Sequence, residues 1–255
     1  MVRPILLHIP HSSTHIPVEW KGVFQIDEGE LADELRVMTD AFTDDLFELD
    51  DIADRLVFPV SRLLVDVERF HNDRDEPMAD KGMGAVYTKT HDGRSLKSSE
   101  RRSDLMSAFY VPHHDALETW SRRALEEFGQ CMILDCHSFP SRPLMCDMSQ
   151  SPDRPDICIG TSKLHSQPGL VEAAKGAFEA QGWSVKIDSP YFGTMVPLPH
   201  FGREPRLASL MIEVNRRLYL DESSGERLAR FAKIAECLGL ALRAIVDHWQ
   251  RHGNR

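Results

Sequence analysis

Seven short apolar runs alternate along this chain with segments of helical period, and that alternation restricts the possible folds more than any other feature. The runs are Ile5–Ile9, Leu56–Val60, Leu63–Val67, Cys131–Cys136, Asp156–Ile159, Ser184–Ile187 and Leu207–Val214, each bounded by breakers or charged residues. Runs of this length read as strands. Between them, Leu31, Leu35, Met38, Phe42, Leu46 and Leu49 recur at helical spacing, as do the apolar positions of Leu105–Phe128, Leu170–Ala180 and Leu228–Trp249. Strands alternating with helices predict βαβ units and a mostly parallel sheet, an α/β fold. Strands that are apolar almost throughout predict helices over both sheet faces.

No linker, repeat or low-complexity run divides the 255 residues, so one domain over residues 1–255 is the simplest reading. Acidic residues outnumber basic ones by 40 to 30, and the net charge of −10 offers a phosphate backbone no general attraction. Nucleic acid is therefore not an expected partner. Nor is a membrane: no apolar run approaches the length of a membrane span, and the apolar stretch of Met1-Val2-Arg3-Pro4-Ile5-Leu6-Leu7-His8 is too short for a signal peptide. Five cysteines, an odd number with no Cys-x-x-Cys pair, fit reduced thiols. A soluble, cytoplasmic protein is the expectation, with its oligomeric state open.

Ligands of open α/β sheets bind beyond the carboxyl ends of strands. Four such ends carry ionisable groups here: His11 after Ile5–Ile9, Glu68 and Arg69 after Leu63–Val67, His137 in Asp135-Cys136-His137-Ser138, and Glu213 in Glu213-Val214-Asn215-Arg216. His11 leaves its strand through a rigid Pro10-His11-Ser12-Ser13 turn able to aim an imidazole at a metal, or it is a surface histidine in a turn. His15 lies four residues on, but Pro10 and Pro17 argue against a helix presenting both, and it is read as non-ligating. Strand alternation puts Asp135 and His137 on one side, where Asp135 would ligate, orient His137, or form a structural pair with it. Glu213 sits inside an apolar strand. Burial raises its basicity and suits a general base, a buried salt bridge to Arg216 or Arg69 being the alternative.

Guanidinium forks at Arg62, Arg69 and Arg216 suit capture of substrate carboxylates, with Asn215 beside them. Surface salt bridges are the plainer explanation for some of these and Arg217, and only Arg69 and Arg216, which share segments with Glu68 and Asn215, rise above that background. Asp40, within an amphipathic helical stretch, is a candidate third metal ligand, and His114, after Tyr110-Val111-Pro112-His113, a candidate ligand or proton donor. Gly82 and Gly84 mark a loop read as a flexible wall or lid of the pocket.

With these residues in view, the chain is similar to the N-formylglutamate amidohydrolase family of histidine degradation, from about Ile5 to Glu222. The matching segments are Pro10-His11-Ser12-Ser13, Met38-Thr39-Asp40, Ser61 to Arg69, Tyr110-Val111-Pro112-His113-His114, Asp135-Cys136-His137-Ser138 and Glu213 to Tyr219. The resemblance implies a three-layer α/β sandwich of the phosphorylase/hydrolase-like kind, related in architecture to zinc carboxypeptidases, with a divalent metal and a deformylation reaction. It places His11 and His137 near the metal and supplies Glu213. Two positions depart from the family's pattern: Glu68 stands where many members have Asn, and His113 where they have Tyr. An added carboxylate beside the arginines makes a related N-acyl amino acid an alternative to N-formyl-L-glutamate.

The expected chemistry is metal-dependent amide hydrolysis: a divalent metal such as zinc held by His11 and His137 with a carboxylate, Asp40 the candidate, or a third histidine, Glu213 as base, Glu213 or His114 protonating the leaving amine, and the arginines with Asn215 holding carboxylates. Two rivals stand beside it. One is a cysteine hydrolase using Cys136, though adjacent strand residues point to opposite faces and would separate its thiol from His137. The other is a non-catalytic anion-binding protein on the same fold.

Overall fold

A computed structural model describes residues 4–49 and 51–253. Its centre is a six-stranded sheet in the order β2-β1-β3-β6-β4-β5, built from β1 (Ile5–Ile9), β2 (Asp54–Val57), β3 (Cys131–Phe139), β4 (Ile157–Gly160), β5 (Val185–Ile187) and β6 (Leu207–Asn215). All neighbours run parallel except β4 and β6. The sheet is thus mixed and mostly parallel, as the alternating pattern predicts. A short hairpin of β7 (Leu220–Asp221) and β8 (Glu226–Arg227) follows it.

Helices lie on both faces, which makes three layers. On one face α2 (Thr43–Leu46), α5 (Pro168–Glu179) and the long α6 (Phe231–His252) close over Ile5, Leu7 and Ile9 of β1, Met132, Leu134 and Cys136 of β3, and Ala208, Leu210, Ile212 and Val214 of β6. The opposite face packs α4 (Val111–Phe128), through Leu117, Ala124 and Leu125, on Leu6, Cys131, Ile133 and Leu207. The next residues on that second face are His8, Asp135, His137 and Glu213, so it changes from apolar to ionisable along the strands.

Local chemistry explains several boundaries. The first long helix, α1 (Glu28–Met38), opens on a capping box in which Asp27 accepts from the Glu30 backbone and Glu30 reaches back. It stops at Thr39, and Phe42 takes a left-handed conformation (φ 64°) before α2 begins. Asp40 therefore stands in a break between two helices, not within one as its periodicity suggested. Short α3 (Arg102–Leu105) runs into a π-helical turn, Met106–Tyr110, and on into α4. Pro112 has no amide hydrogen for the helical ladder, and the wider turn just before it absorbs that loss.

The run Leu63–Val67 is not a strand. Ser61 Oγ accepts from the Leu63 amide, the Ser61 carbonyl from Leu64 and Val65, and Asp66 Oδ1 from Glu68, so side-chain and turn bonds wind the segment. Its apolar residues are nonetheless fully buried, under loops instead of in the sheet. The run Leu56–Val60 pairs only as far as Val57, with one further bond from Phe58 to Ile9, because Pro59 cannot donate. No helix among the described residues is long and apolar enough to cross a membrane.

Candidate functional site

Register on the second sheet face sets the floor of the site. His8 of β1 pairs with Asp135 of β3, and His137 of β3 with Glu213 of β6, so two adjacent rows carry four ionisable side chains. His11, beyond Pro10 at the end of β1, reaches the same place, its ring centroid 5.1 Å from that of His137. Asp40 is delivered by the break after α1, where its amide bonds the His11 carbonyl.

One nitrogen of each imidazole is held by a buried carboxylate. His11 Nε2 donates to Asp66 Oδ1 at 2.8 Å and His137 Nε2 to Asp135 Oδ1 at 3.0 Å. The two Nδ1 atoms turn towards Asp40 Oδ2, at 3.6 Å from His11 and 3.2 Å from His137. His11 Nδ1 is buried with no hydrogen-bond partner. Ligand atoms from His11, Asp40 and His137 all lie within 4.8 Å of one another. Two imidazoles, one carboxylate, and carboxylates behind each imidazole form a donor set that fits a divalent cation such as zinc.

The electrostatics agree with that fit. Burial pushes the Asp40 carboxyl up, but the neighbouring His11 and His137 rings and the Arg216 charge outweigh it and hold it well below the usual carboxylate range. His137 is pulled down by burial and raised further by Asp135 and Asp40, so it carries a proton that a bound cation would replace. Glu213 behaves oppositely: burial dominates and pushes it up to about 8. Its Oε2 is buried without a partner.

A second group, His8, Glu68 and Asp135, also clusters, but His8 is already satisfied at both ring nitrogens. Nδ1 donates to Asp135 Oδ1 at 2.9 Å and Nε2 meets His113 Nε2 at 2.8 Å. Burial would lower His8, yet Asp135 and Glu68 raise it to about 9, while burial and the His8 charge push His113 down to about 2. A charged His8 donating to a neutral His113 follows from both shifts. This pair braces Asp135 behind His137.

The three arginines are unequally available. Arg216 donates to Asp40 Oδ1 at 2.9 Å, the Val37 carbonyl and Ser138 Oγ, and Arg62 to both Asp66 Oδ2 and the Tyr87 hydroxyl. Both are engaged in positioning. Arg69 lies 3.5 Å from Asp66 and 3.9 Å from Glu76, is about a quarter exposed (24%), and has a buried Nε without a hydrogen-bond partner. It is the arginine of the three best placed for an incoming carboxylate.

Asn215 is not in the pocket. Its Nδ2 donates to the Pro155 carbonyl and its Oδ1 accepts from the Arg217 amide, ending β6, so it holds the strand end and not a ligand. His114 does line the pocket, stacked on Tyr110, with Nε2 donating to the Val67 carbonyl at 2.9 Å. Burial lowers it to about 4, which makes it neutral near pH 7. His15 is exposed, as a non-ligating residue should be. Cys136 is fully buried on the other sheet face with its thiol on the Leu134 carbonyl, and burial raises it far above a reactive range. The cysteine-hydrolase reading therefore fails. The glycine-bearing loop is no flexible lid: Met83, Ala85 and Tyr87 are buried, and Tyr87 donates to Asp66.

Sequence reasoning did not find His8, hidden inside an apolar strand, although its period-2 position beyond Leu6 marks the same face. It also missed the apolar walls of the pocket, a cavity of 510 Å³.

The sequence model of the N-formylglutamate amidohydrolase family matches residues 3–220. An N-formylglutamate deformylase of Pseudomonas putida is 24% identical over 232 residues, covering 86% of this chain and 83% of that protein. Among solved structures, an N-formylglutamate amidohydrolase from Ralstonia eutropha JMP134 superposes with a TM-score of 0.82 at 22% identity, over 98% of this chain and 95% of its own. A gene product of Agrobacterium tumefaciens gives 0.60 at 19% identity, over 95% and 92%. Shared architecture and a family match over most of its length lead to one conclusion: this chain belongs to the N-formylglutamate amidohydrolase family.

Proposed function

We propose that this protein is a metal-dependent hydrolase that cleaves the amide of N-formyl-L-glutamate or a related N-acyl amino acid, releasing a carboxylate and the free amino acid. The observation that carries the reading is the convergence of His11, His137 and Asp40 beside the unpartnered Glu213 carboxylate. His11, Asp40 and His137 would hold the cation, with zinc the best match to nitrogen and oxygen donors. When bound, such an ion polarises the amide carbonyl and lowers the pKa of water at the site.

The chain's own residues supply the rest. Glu213, raised by burial, takes the proton of the attacking water and delivers it to the leaving nitrogen. Arg69 holds the α-carboxylate, while Arg62 fixes Asp66 behind His11 and Arg216 fixes Asp40. His114, neutral and committed to Val67, shapes the wall and is the lesser choice as acid. For each turnover one water is consumed, the carbonyl–nitrogen bond breaks, and the products are an amine and a carboxylate, formate when the acyl group is formyl.

The test is an assay of formate release from N-formyl amino acids before and after chelation. Activity should vanish on chelation and return with added zinc. Persistence after metal removal contradicts the assignment, and a metal-loaded protein inert to every N-acyl amino acid tried would favour the anion-binding alternative.

A further inference from the structure

The pocket is much larger, more apolar and more acidic than a small dianion requires. Its deep end holds the ionisable groups described above, while Phe70, Met148, Phe192, Leu198 and Phe201 line its outer part. These are five of the ten exposed large apolar side chains among the described residues. Scattered exposed hydrophobics are ordinary, whereas half of them gathered at the mouth of one pocket mark a surface that gains from being covered.

The rim is held in place. Arg154, 3% exposed, donates to the Pro140 carbonyl, the Tyr191 hydroxyl and Asp147, tying segment 140–148 to segment 190–201. The Met195 amide donates to Asp135 Oδ2 at 2.8 Å, and a Cβ on Gly160 would fall 2.2 Å from the Gly193 carbonyl. The backbone is pinned on both sides of Phe192, whose ring is left 66% exposed. Fixed apolar display of this kind suits capture of an apolar group at little ordering cost.

Charge points the same way. Six carboxylates line the cavity against three guanidiniums, of which Arg62 and Arg216 are bound to Asp66 and Asp40. Arg69 can serve one carboxylate. A second would meet the apolar rim or Glu68, whose Oε1 is buried without a hydrogen bond. Among the described lining residues no further guanidinium or ammonium offsets its desolvation.

We infer that the preferred substrates are N-acyl amino acids with a single carboxylate and a bulky apolar group, in preference to the dianion N-formyl-L-glutamate. The inference rests on the hydrolytic reading above. The amide lies over the His11, His137 and Glu213 end, the carboxylate on Arg69, and the apolar group along Phe192 and Met148.

The experiment compares kcat/KM of the metal-loaded protein for N-formyl-L-glutamate, N-formyl-L-phenylalanine and N-benzoylglycine, the last two placing a ring on either side of the amide. At least one ring-bearing substrate should exceed N-formyl-L-glutamate by about tenfold or more. Phe192→Ser and Met148→Ser should raise KM for that substrate several-fold with kcat nearly unchanged, and leave N-formyl-L-glutamate unaffected. A preference for N-formyl-L-glutamate overturns the inference and leaves the hydrolase intact. If nothing is turned over, the hydrolytic reading fails, and calorimetry decides the pocket: tighter binding of N-formyl-L-phenylalanine than of N-formyl-L-glutamate supports the apolar rim, and equal or weaker binding overturns it.

Discussion

The two faces of β1, β3 and β6 share one backbone and differ completely in what they bury. Towards α5 and α6 lie Ile5, Leu7, Ile9, Met132, Leu134, Cys136, Leu210, Ile212 and Val214, each at most 2% exposed. That face is apolar as far as Ser138 near the end of β3. Towards α4 the same strands begin with Leu6, Ile133 and Leu207 and finish with His8, Asp135, His137 and Glu213. Burying charge is costly unless it is paired, and on this face His8, Asp135 and His137 each have a named partner. Glu213 is the exception. Stability is concentrated on the continuous face, and reactivity where the covering helix gives way to the pocket.

Substitutions on the two faces should separate these properties. Glu213→Gln keeps shape and removes the base, so kcat should fall by about 10² to 10⁴ while metal content and unfolding midpoint hold. Chemical denaturation together with steady-state kinetics checks both halves, and a near-normal kcat would make another group the base. On the other face, Leu134→Ala should cost about 2–5 kcal/mol of unfolding free energy while folded molecules retain their turnover. Lost activity in a fully folded Leu134→Ala protein would mean that the faces are not separable.

A smaller effect concerns pH. His113 stays neutral when folded down to about 2, whereas unfolded it takes a proton near the ordinary histidine value of 6.5, so its stabilisation is present above 6.5 and is lost as pH falls. His8, held to about 9, does the reverse: its contribution is present below 6.5 and is lost as pH rises towards 9. Thermal melts should therefore show His113→Tyr flattening the acid side, by at most about 1.4 kcal/mol for each pH unit below 6.5. An unchanged acid limb would mean that His113 is not buried neutral.

Much of this division is legible in the sequence, because an apolar run gives a strand and an ionisable residue within it or just past its end marks a candidate site. His137, Glu213 and His11 are found that way. The failures have physical causes. An apolar run reads alike whether it joins a ladder or is wound under loops by serine and aspartate side chains, which hid the true form of Leu63–Val67. Helical period continues through Asp40 because both α1 and α2 are amphipathic, and only the backbone break turns that carboxylate inward. Which arginines are already engaged depends on Asp40 and Asp66 arriving from distant segments, so no local pattern distinguishes Arg69 from Arg62 and Arg216. Asn215 shares the alternation of Glu213 but lies where the strand turns into a 3₁₀ helix, and it caps that turn.

Metal content measured by mass spectrometry, on zinc-reconstituted and dialysed wild type and on His137→Ala of matching circular dichroism, bears most directly on the convergence of His11, Asp40 and His137. One divalent ion per wild-type chain and almost none in the variant is the expected result. Equal metal in both proteins, or none in either, would contradict a cation site built on these three residues.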